Sequence, residues 1–277
     1  MEREIGAIVV LYNVTCRDSS TCQALQGLEN PVPVIVYDNS TRDMGNRQAC
    51  RQLGWTYLGG EGNRGLSVAY NAAIQCLRDR NWQGLVCLFD DDSAFDENYF
   101  RCLREVSGKS PCKIFAPVIV SGEKILSPVE LLPGQRVRRF AHQQELESYR
   151  GEHLSAINSG MAVDISLFDN YRYDEHIFLD GIDHTFVADM KKRGEQICVI
   201  PYRCIHGFSG DQHPPKAEAL TRFSIFARDY GYILRNHRSQ YWRLVGKRAA
   251  HLIIQYRALA FAGVFFRNLR DPGVRRK

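Results

Sequence analysis

Three consecutive aspartates, Asp90, Asp91 and Asp92, follow the apolar run "GLVCLF" without a break. Adjacent carboxylates repel one another, so such a triplet is either a solvated turn or a place where something positive is meant to sit. Two carboxylates at i and i+2, Asp90 and Asp92, can offer oxygens to one hard cation such as Mg2+ or Mn2+, metals that favour carboxylate, water and phosphate ligands. A second acidic pair, Asp180 and Asp183, lies in "HIFLDGIDHTF". Its aromatic and aliphatic neighbours predict partial burial, which raises a carboxylate toward the range of a useful general base. The alternative is that Asp180 caps the helix that follows. His206, after an apolar strand and before a Gly-rich turn, is a third metal ligand if the fold brings it to the triplet, and otherwise structural.

These groups need elements to hold them. Ile5–Leu11, Val32–Tyr37, Trp55–Leu58 and Leu85–Phe89 read as strands, separated by helical stretches at 20–28, 43–53 and 65–79. β-Branched runs alternating with helices predict a mainly parallel sheet covered on both faces, an α/β fold. Ligands of such sheets bind outside the carboxyl ends of the strands. The polar residues there are Tyr12 and Asn13 after the first strand, Asp38-Asn39-Ser40 after the second, and the Asp triplet after the fourth. Asp-Asn-Ser is also ordinary turn chemistry. The glycine-rich stretch 59–65 lacks the Lys of a phosphate loop. Its Gly60, Gly62 and Gly65 formally fit GxGxxG, but they follow the third strand and lack a clear acidic ribose partner.

Beyond residue 110 the pattern changes. Lys113–Val120 is a further strand, 121–155 is polar and irregular, and another strand begins at Cys198–Pro201. The stretch 210–216 is a linker by composition. Two helical segments, interrupted near 236–240, run to about residue 269. The chain therefore divides into a catalytic-type domain over 1–215 and a basic helical extension over 216–277. Residues 217–277 carry 13 Lys and Arg against 3 Asp and Glu, which leaves the rest of the chain net negative although the whole has a net charge of +5. Nine cysteines without a CxxC pair suit a reducing cytoplasm better than a disulfide framework. The N-terminus runs into a strand without signal-peptide features, and no apolar stretch is long enough to span a bilayer.

Taken in order, "IVVLYN", "VIVYDNST", "GNRGLSVAYNAAI", "LFDDDS", "INSGM" and "FLDGID" resemble the motifs of bacterial family 2 glycosyltransferases with the GT-A fold, over about residues 4–210. "LFDDDS" and "IFLDGID" are similar to the rhamnosyltransferase-like subgroup. Leu179 stands where the family commonly has Glu, and Thr185 and Asp189 replace an acid and an Arg of that subgroup. The resemblance implies an inverting transfer of a sugar from a nucleotide-diphosphate donor, dTDP-rhamnose or a UDP-hexose. The acceptor would be a glycan or lipid-linked oligosaccharide, in surface polysaccharide (O-antigen) synthesis. It assigns Asp90, Asp92 and His206 to Mg2+ or Mn2+. Tyr12, Asn13, Asp38, Asn63, Gly65, Asn71, Asp90 and Asp91 would face the nucleotide sugar, and Asn158, Ser159 and Gly160 the acceptor. Asp180 would be the base, with Asp183 as second choice. A nucleotidyltransferase and a non-catalytic nucleotide-sugar-binding module are the alternatives.

The extension mixes Leu, Ile and Phe with Arg at helical intervals. It suits either an interfacial helix over 241–277 on an anionic membrane surface, which would make the protein peripheral at the inner face of the cytoplasmic membrane, or packing on protein, including a homodimer. Nucleic acid is not expected.

Overall fold

The computed structural model describes residues 3–93, 95–205 and 214–270. In chain order it runs β1 (Ile5–Leu11), α1 (Ser20–Gln26), β2 (Val34–Asp38), α2 (Asn46–Gln52), β3 (Thr56–Gly59), α3 (Leu66–Asp79), β4 (Leu85–Phe89), α4 (Glu97–Lys109) and β5 (Ile114–Ser121). Short strands β6 (Lys124–Ser127), β7 (Val129–Leu132) and β8 (Arg136–Arg138), helix α5 (Gln143–Ser148) and β9 (Leu154–Ser155) follow. Then come β10 (Met161–Asp164), α6 (Ile182–Lys192) and β11 (Ile197–Ile205). The extension holds α7 (Lys216–Ile233), α8 (Arg238–Tyr241), α9 (Lys247–Tyr256) and α10 (Ala260–Arg270).

The main sheet has the order β11-β5-β10-β4-β1-β2-β3, with β6 paired to β5. β1 is parallel to both β2 and β4, and β11 is parallel to β5, whereas β10 runs antiparallel between β4 and β5. Every residue of β1, β2 and β4 is buried, as a parallel sheet covered on both faces demands. Alternation sorts each strand into two cores. Ile8 and Val10 pack with Tyr70, Ile74 and Phe186 on one face; Ala7, Val9 and Leu11 pack with Leu25, Phe100 and Leu103 on the other.

From β1 the chain moves outward through β2 to β3, then returns to place β4 on the other side of β1. That reversal puts a topological switch point at the carboxyl ends of β1 and β4, the place where open α/β sheets bind ligands. The stretch 121–155, expected to be irregular, contains β6 to β9 and α5, with β8-β7-β9 forming a separate small sheet. In the extension, α7 to α10 bury their own apolar cluster around Phe223, Ala227, Tyr241, Val245 and Phe261. All nine cysteines are unbridged.

Candidate functional site

The ends of β1 and β2 are stitched together by side chains. Asn13 adopts a left-handed conformation (φ 54). Its N–H donates to Ser40 Oγ at 2.8 Å, and its Oδ1 accepts from the Thr41 N–H and hydroxyl at 2.9 and 3.0 Å. Asp38 is only 3% exposed. Its Oδ1 accepts the Ser40 N–H at 3.0 Å, and its Oδ2 accepts from Asn46 at 3.0 Å and from the Tyr57 hydroxyl at 3.3 Å. Burial, together with this carboxylate, pushes the Tyr57 hydroxyl up to about 12. Asp38 thus braces the cleft wall with both oxygens. Tyr12 leaves its ring half exposed at the mouth.

The triplet sits across from Tyr12 and is held from α1. Ser19 Oγ donates to the Asp91 carbonyl at 2.7 Å, and the Thr21 hydroxyl lies 2.6 Å from the carbonyls of both Asp90 and Ser93. The carboxylates of Asp90 and Asp91 take different partners. Asp90 Oδ2 accepts the Ser159 hydroxyl, and Asp91 Oδ2 accepts the Tyr12 N–H at 3.2 Å. Asp92 is exposed. Burial, with Asp92 and Asp90 adding repulsion, pushes the Asp91 carboxyl up to about 6. Among the described residues no three His, Cys, Asp or Glu side chains form a closed metal-ligand set. Carboxylates at i and i+2 suit a cation whose remaining ligands are water and phosphate oxygens. His206 lies outside the described residues, one position past the end of β11.

Residues 158–160 enter beside the triplet because β10 pairs antiparallel with β4. The Gly160 N–H donates to the Leu88 carbonyl at 2.8 Å, and Tyr99 donates its hydroxyl to the Gly160 carbonyl at 2.7 Å. Gly160 is left-handed (φ 75), and a Cβ there would lie 2.4 Å from the Phe95 ring. Asn158 and Ser159 are each 5% exposed, so this segment is a wall of the site more than an open rim.

The acidic turn 178–183 approaches from the α6 side. Asp183 lies in the first turn of α6, with one oxygen accepting the His184 N–H at 2.7 Å. Asp180 faces α7, where Arg222 donates to both of its oxygens. Burial pushes the Tyr70 hydroxyl up, and the carboxylates of Asp90 and Asp183 both reinforce that shift. One buried hydroxyl therefore feels Asp90 of the triplet and Asp183 of the acidic turn together. The Gly-rich loop closes the gap. The Arg64 N–H donates to Asn39 Oδ1 at 2.8 Å, the Gly65 N–H to Asn63 Oδ1 at 3.1 Å, and the Leu66 N–H to the Phe178 carbonyl at 2.7 Å. These three amides are spent on partners within the protein. Asn71 is likewise occupied: its amide exchanges hydrogen bonds with the Tyr173 backbone at 2.9 Å each way and reaches Glu175 at 3.1 Å.

Sequence reasoning passed over Ser19, Thr21, Arg222 and Asp229. The last two carried a signal, since Arg222 and Asp229, seven residues apart in "RFSIFARDY", share one face of a helix.

No protein-family model and no curated protein matches this chain. Solved structures do. GalNAc-T7 with UDP, GalNAc and Mn2+ aligns at a TM-score of 0.58 and 12% identity, over 85% of this chain and 51% of that one. Glucosyl-3-phosphoglycerate synthase from Mycobacterium tuberculosis with Mn2+, UDP and phosphoglyceric acid aligns at 0.56 and 14% identity, over 86% and 78%. This chain spans about half the length of the GalNAc-T7 chain. At such identities the likeness is one of fold: a mainly parallel sheet flanked by helices, the GT-A architecture of these two glycosyltransferases.

Proposed function

We propose that this protein is a glycosyltransferase that moves a sugar from a nucleotide-diphosphate donor onto a hydroxyl of a glycan or lipid-linked acceptor, with inversion. The observation that carries the reading is the placing of Asp90, hydrogen-bonded to Ser159, at the carboxyl end of β4 beside β1, with Asp183 near enough to act on the same buried Tyr70 hydroxyl. The two neighbours named above, both bearing UDP and Mn2+, support it. Asp90 and Asp92, with His206, are the residues to hold Mg2+ or Mn2+. When bound, that cation stabilises negative charge on the departing diphosphate. Tyr12 offers an exposed ring face to the nucleobase, and Asp38 keeps the β2 end in shape beneath it.

Attack forms a bond from the acceptor oxygen to the anomeric carbon as the bond to the diphosphate oxygen breaks, and the hydroxyl proton passes to a carboxylate. Between the two candidate bases the geometry favours Asp183. Asp180 has both oxygens engaged in charge-assisted hydrogen bonds from Arg222. The donor is proposed to be dTDP-rhamnose or a UDP-hexose, and the product a surface polysaccharide built at a membrane. The "LFDDDS" and "IFLDGID" motifs support the rhamnosyl choice, and the basic extension supports the location.

Incubation with a panel of UDP- and dTDP-sugars, assayed for release of the nucleoside diphosphate, tests the reading. Mn2+-dependent release from one or more donors is expected, lost in excess chelator and in Asp92→Asn. Release unaffected by chelator would defeat the metal assignment. Asp183→Asn is expected to lower turnover by about 100-fold or more, with UDP affinity retained. Near-normal turnover in Asp183→Asn, with loss in Asp180→Asn, would return the base to Asp180.

A further inference from the structure

The acidic turn is gripped from two sides by elements far apart in the sequence. At the start of α3, the Leu66 N–H holds the Phe178 carbonyl at 2.7 Å. On the opposite side, α7 supplies Asp229, whose side chain is fully buried. One oxygen of Asp229 accepts the N–H groups of both Leu179 (2.8 Å) and Asp180 (2.9 Å). The other accepts Arg228 at 3.1 and 3.2 Å. Arg222, seven residues earlier on the same helix face, clamps the Asp180 carboxylate. The next residue, Gly181, is left-handed (φ 79), and a Cβ there would come within 2.9 Å of Ile233, also on α7.

A helix that merely covered a core would place apolar side chains at these positions, as α7 does at Phe223, Phe226 and Ala227. A fully buried carboxylate is costly unless its oxygens are satisfied, and burial indeed pushes Asp229 above the usual carboxylate range. Its partners are two consecutive backbone N–H groups of the turn that leads into Asp183.

We infer that Asp229 and Arg222 are positioning residues for transfer. Together they fix the backbone of 178–181, and so the aim of the first turn of α6 and of Asp183. This rests on the proposed role of Asp183 as base. It makes the basic extension a working part of the site, with α7 completing from outside the sheet what the β1/β4 switch point begins.

The test uses the full chain with Asp229→Asn, Arg222→Met, Arg222→Lys and Asp183→Asn. Three properties are measured: hydrogen exchange over a peptide spanning 176–183, affinity for UDP with Mn2+, and kcat for nucleoside diphosphate release. In Asp229→Asn and Arg222→Met the turn is expected to exchange at least about tenfold faster while peptides of β1 and β4 stay protected. In both, kcat is expected to fall by about 100-fold while UDP affinity holds, as suits a displaced base. Arg222→Lys should recover part of the loss. Unchanged exchange in the turn, or unchanged kcat in both variants, overturns the proposal. If Asp229→Asn does not fold, the Arg222 pair carries the same test at a partly exposed site. Retained turnover in Asp183→Asn alongside loss in Asp229→Asn would instead sink the choice of base, leaving the positioning intact.

Discussion

Gly65 shows how tightly single residues are fitted around the acidic turn. Its backbone (φ 89, ψ 166) lies in a region that only glycine occupies comfortably, and a Cβ would sit 2.6 Å from the Phe178 ring and 2.7 Å from the Phe178 carbonyl. That carbonyl accepts the Leu66 N–H, so the added methyl would push on the turn as well as strain the loop. Gly65→Ala should cost about 2–4 kcal/mol of stability by thermal or urea unfolding, with a fall in turnover. Gly62 is the control: its φ is also positive (85) but nothing lies within 4 Å of its Cβ position, so Gly62→Ala should cost only about 1 kcal/mol. Equal losses in the two would mean that contact with Phe178 does not matter. The triplet and "FLDGID" could be read from the sequence because their chemistry is local, in residue type, spacing and the apolar run beside them. The partners of Asp180 could not. Arg222 is 42 residues away, and only the docking of α7 brings it there.

Among the elements, α3 does most to join the halves of the site. Its N-terminus meets the acidic turn, and Asn71, one turn further on, holds the segment at Tyr173–Glu175 through three hydrogen bonds. The sequence marked Asn71 as a nucleotide ligand because the resemblance put an Asn there. The structure places it 5% exposed and engaged with backbone. Loss of buried hydrogen bonds of this kind costs about 1–3 kcal/mol. Asn71→Ala should therefore lower stability by that amount and leave UDP affinity nearly unchanged. A tighter link to the donor would reverse the pattern, with affinity falling at constant stability. The strands and helices of the first ninety residues were legible because each carries a clean period, and their expected bounds fall within a few residues of those found. β10 was not. Four residues, Met161–Asp164, make a strand only by pairing between β4 and β5, and it is this pairing that delivers 158–160 to the triplet. The hairpins of 121–155 are equally short and polar, with Arg136–Arg138 wholly exposed.

At the scale of the whole molecule, basic charge is concentrated on the extension, which also carries several exposed apolar side chains. From Gly231 to Arg270 there are 8 Lys and Arg and no Asp or Glu. The same stretch exposes Trp242 (49%), Ile254 (78%), Leu259 (79%) and Phe266 (48%). Trp242 and Phe266 meet at 5.8 Å between rings, Leu259 immediately precedes α10, and Arg267 and Arg270 lie in the last turn of that helix. No helix among the described residues is long and apolar enough to cross a membrane. A ridge of this kind, with amphipathic rings and cations and no opposing charge, matches the surface of an anionic bilayer, where each Lys or Arg contributes about 1 kcal/mol. The full chain should co-sediment with phosphatidylglycerol-containing vesicles, much less with phosphatidylcholine alone, and should release as salt nears about 1 M, where charges are screened beyond about 3 Å. Replacing Trp242, Leu259 and Phe266 together with Ser alters only partly exposed side chains. It should weaken binding by about tenfold or more, with some fall in melting temperature because Trp242 and Phe266 also pack on Phe265. Undiminished binding in that triple variant, or binding indifferent to lipid charge, would refute the lipid reading. A change from dimer to monomer by light scattering would show instead that the ridge joins two copies. Since α7 both opens this extension and holds the acidic turn, lipid binding is further expected to slow hydrogen exchange over 176–183, linking the docked state to the geometry of the site.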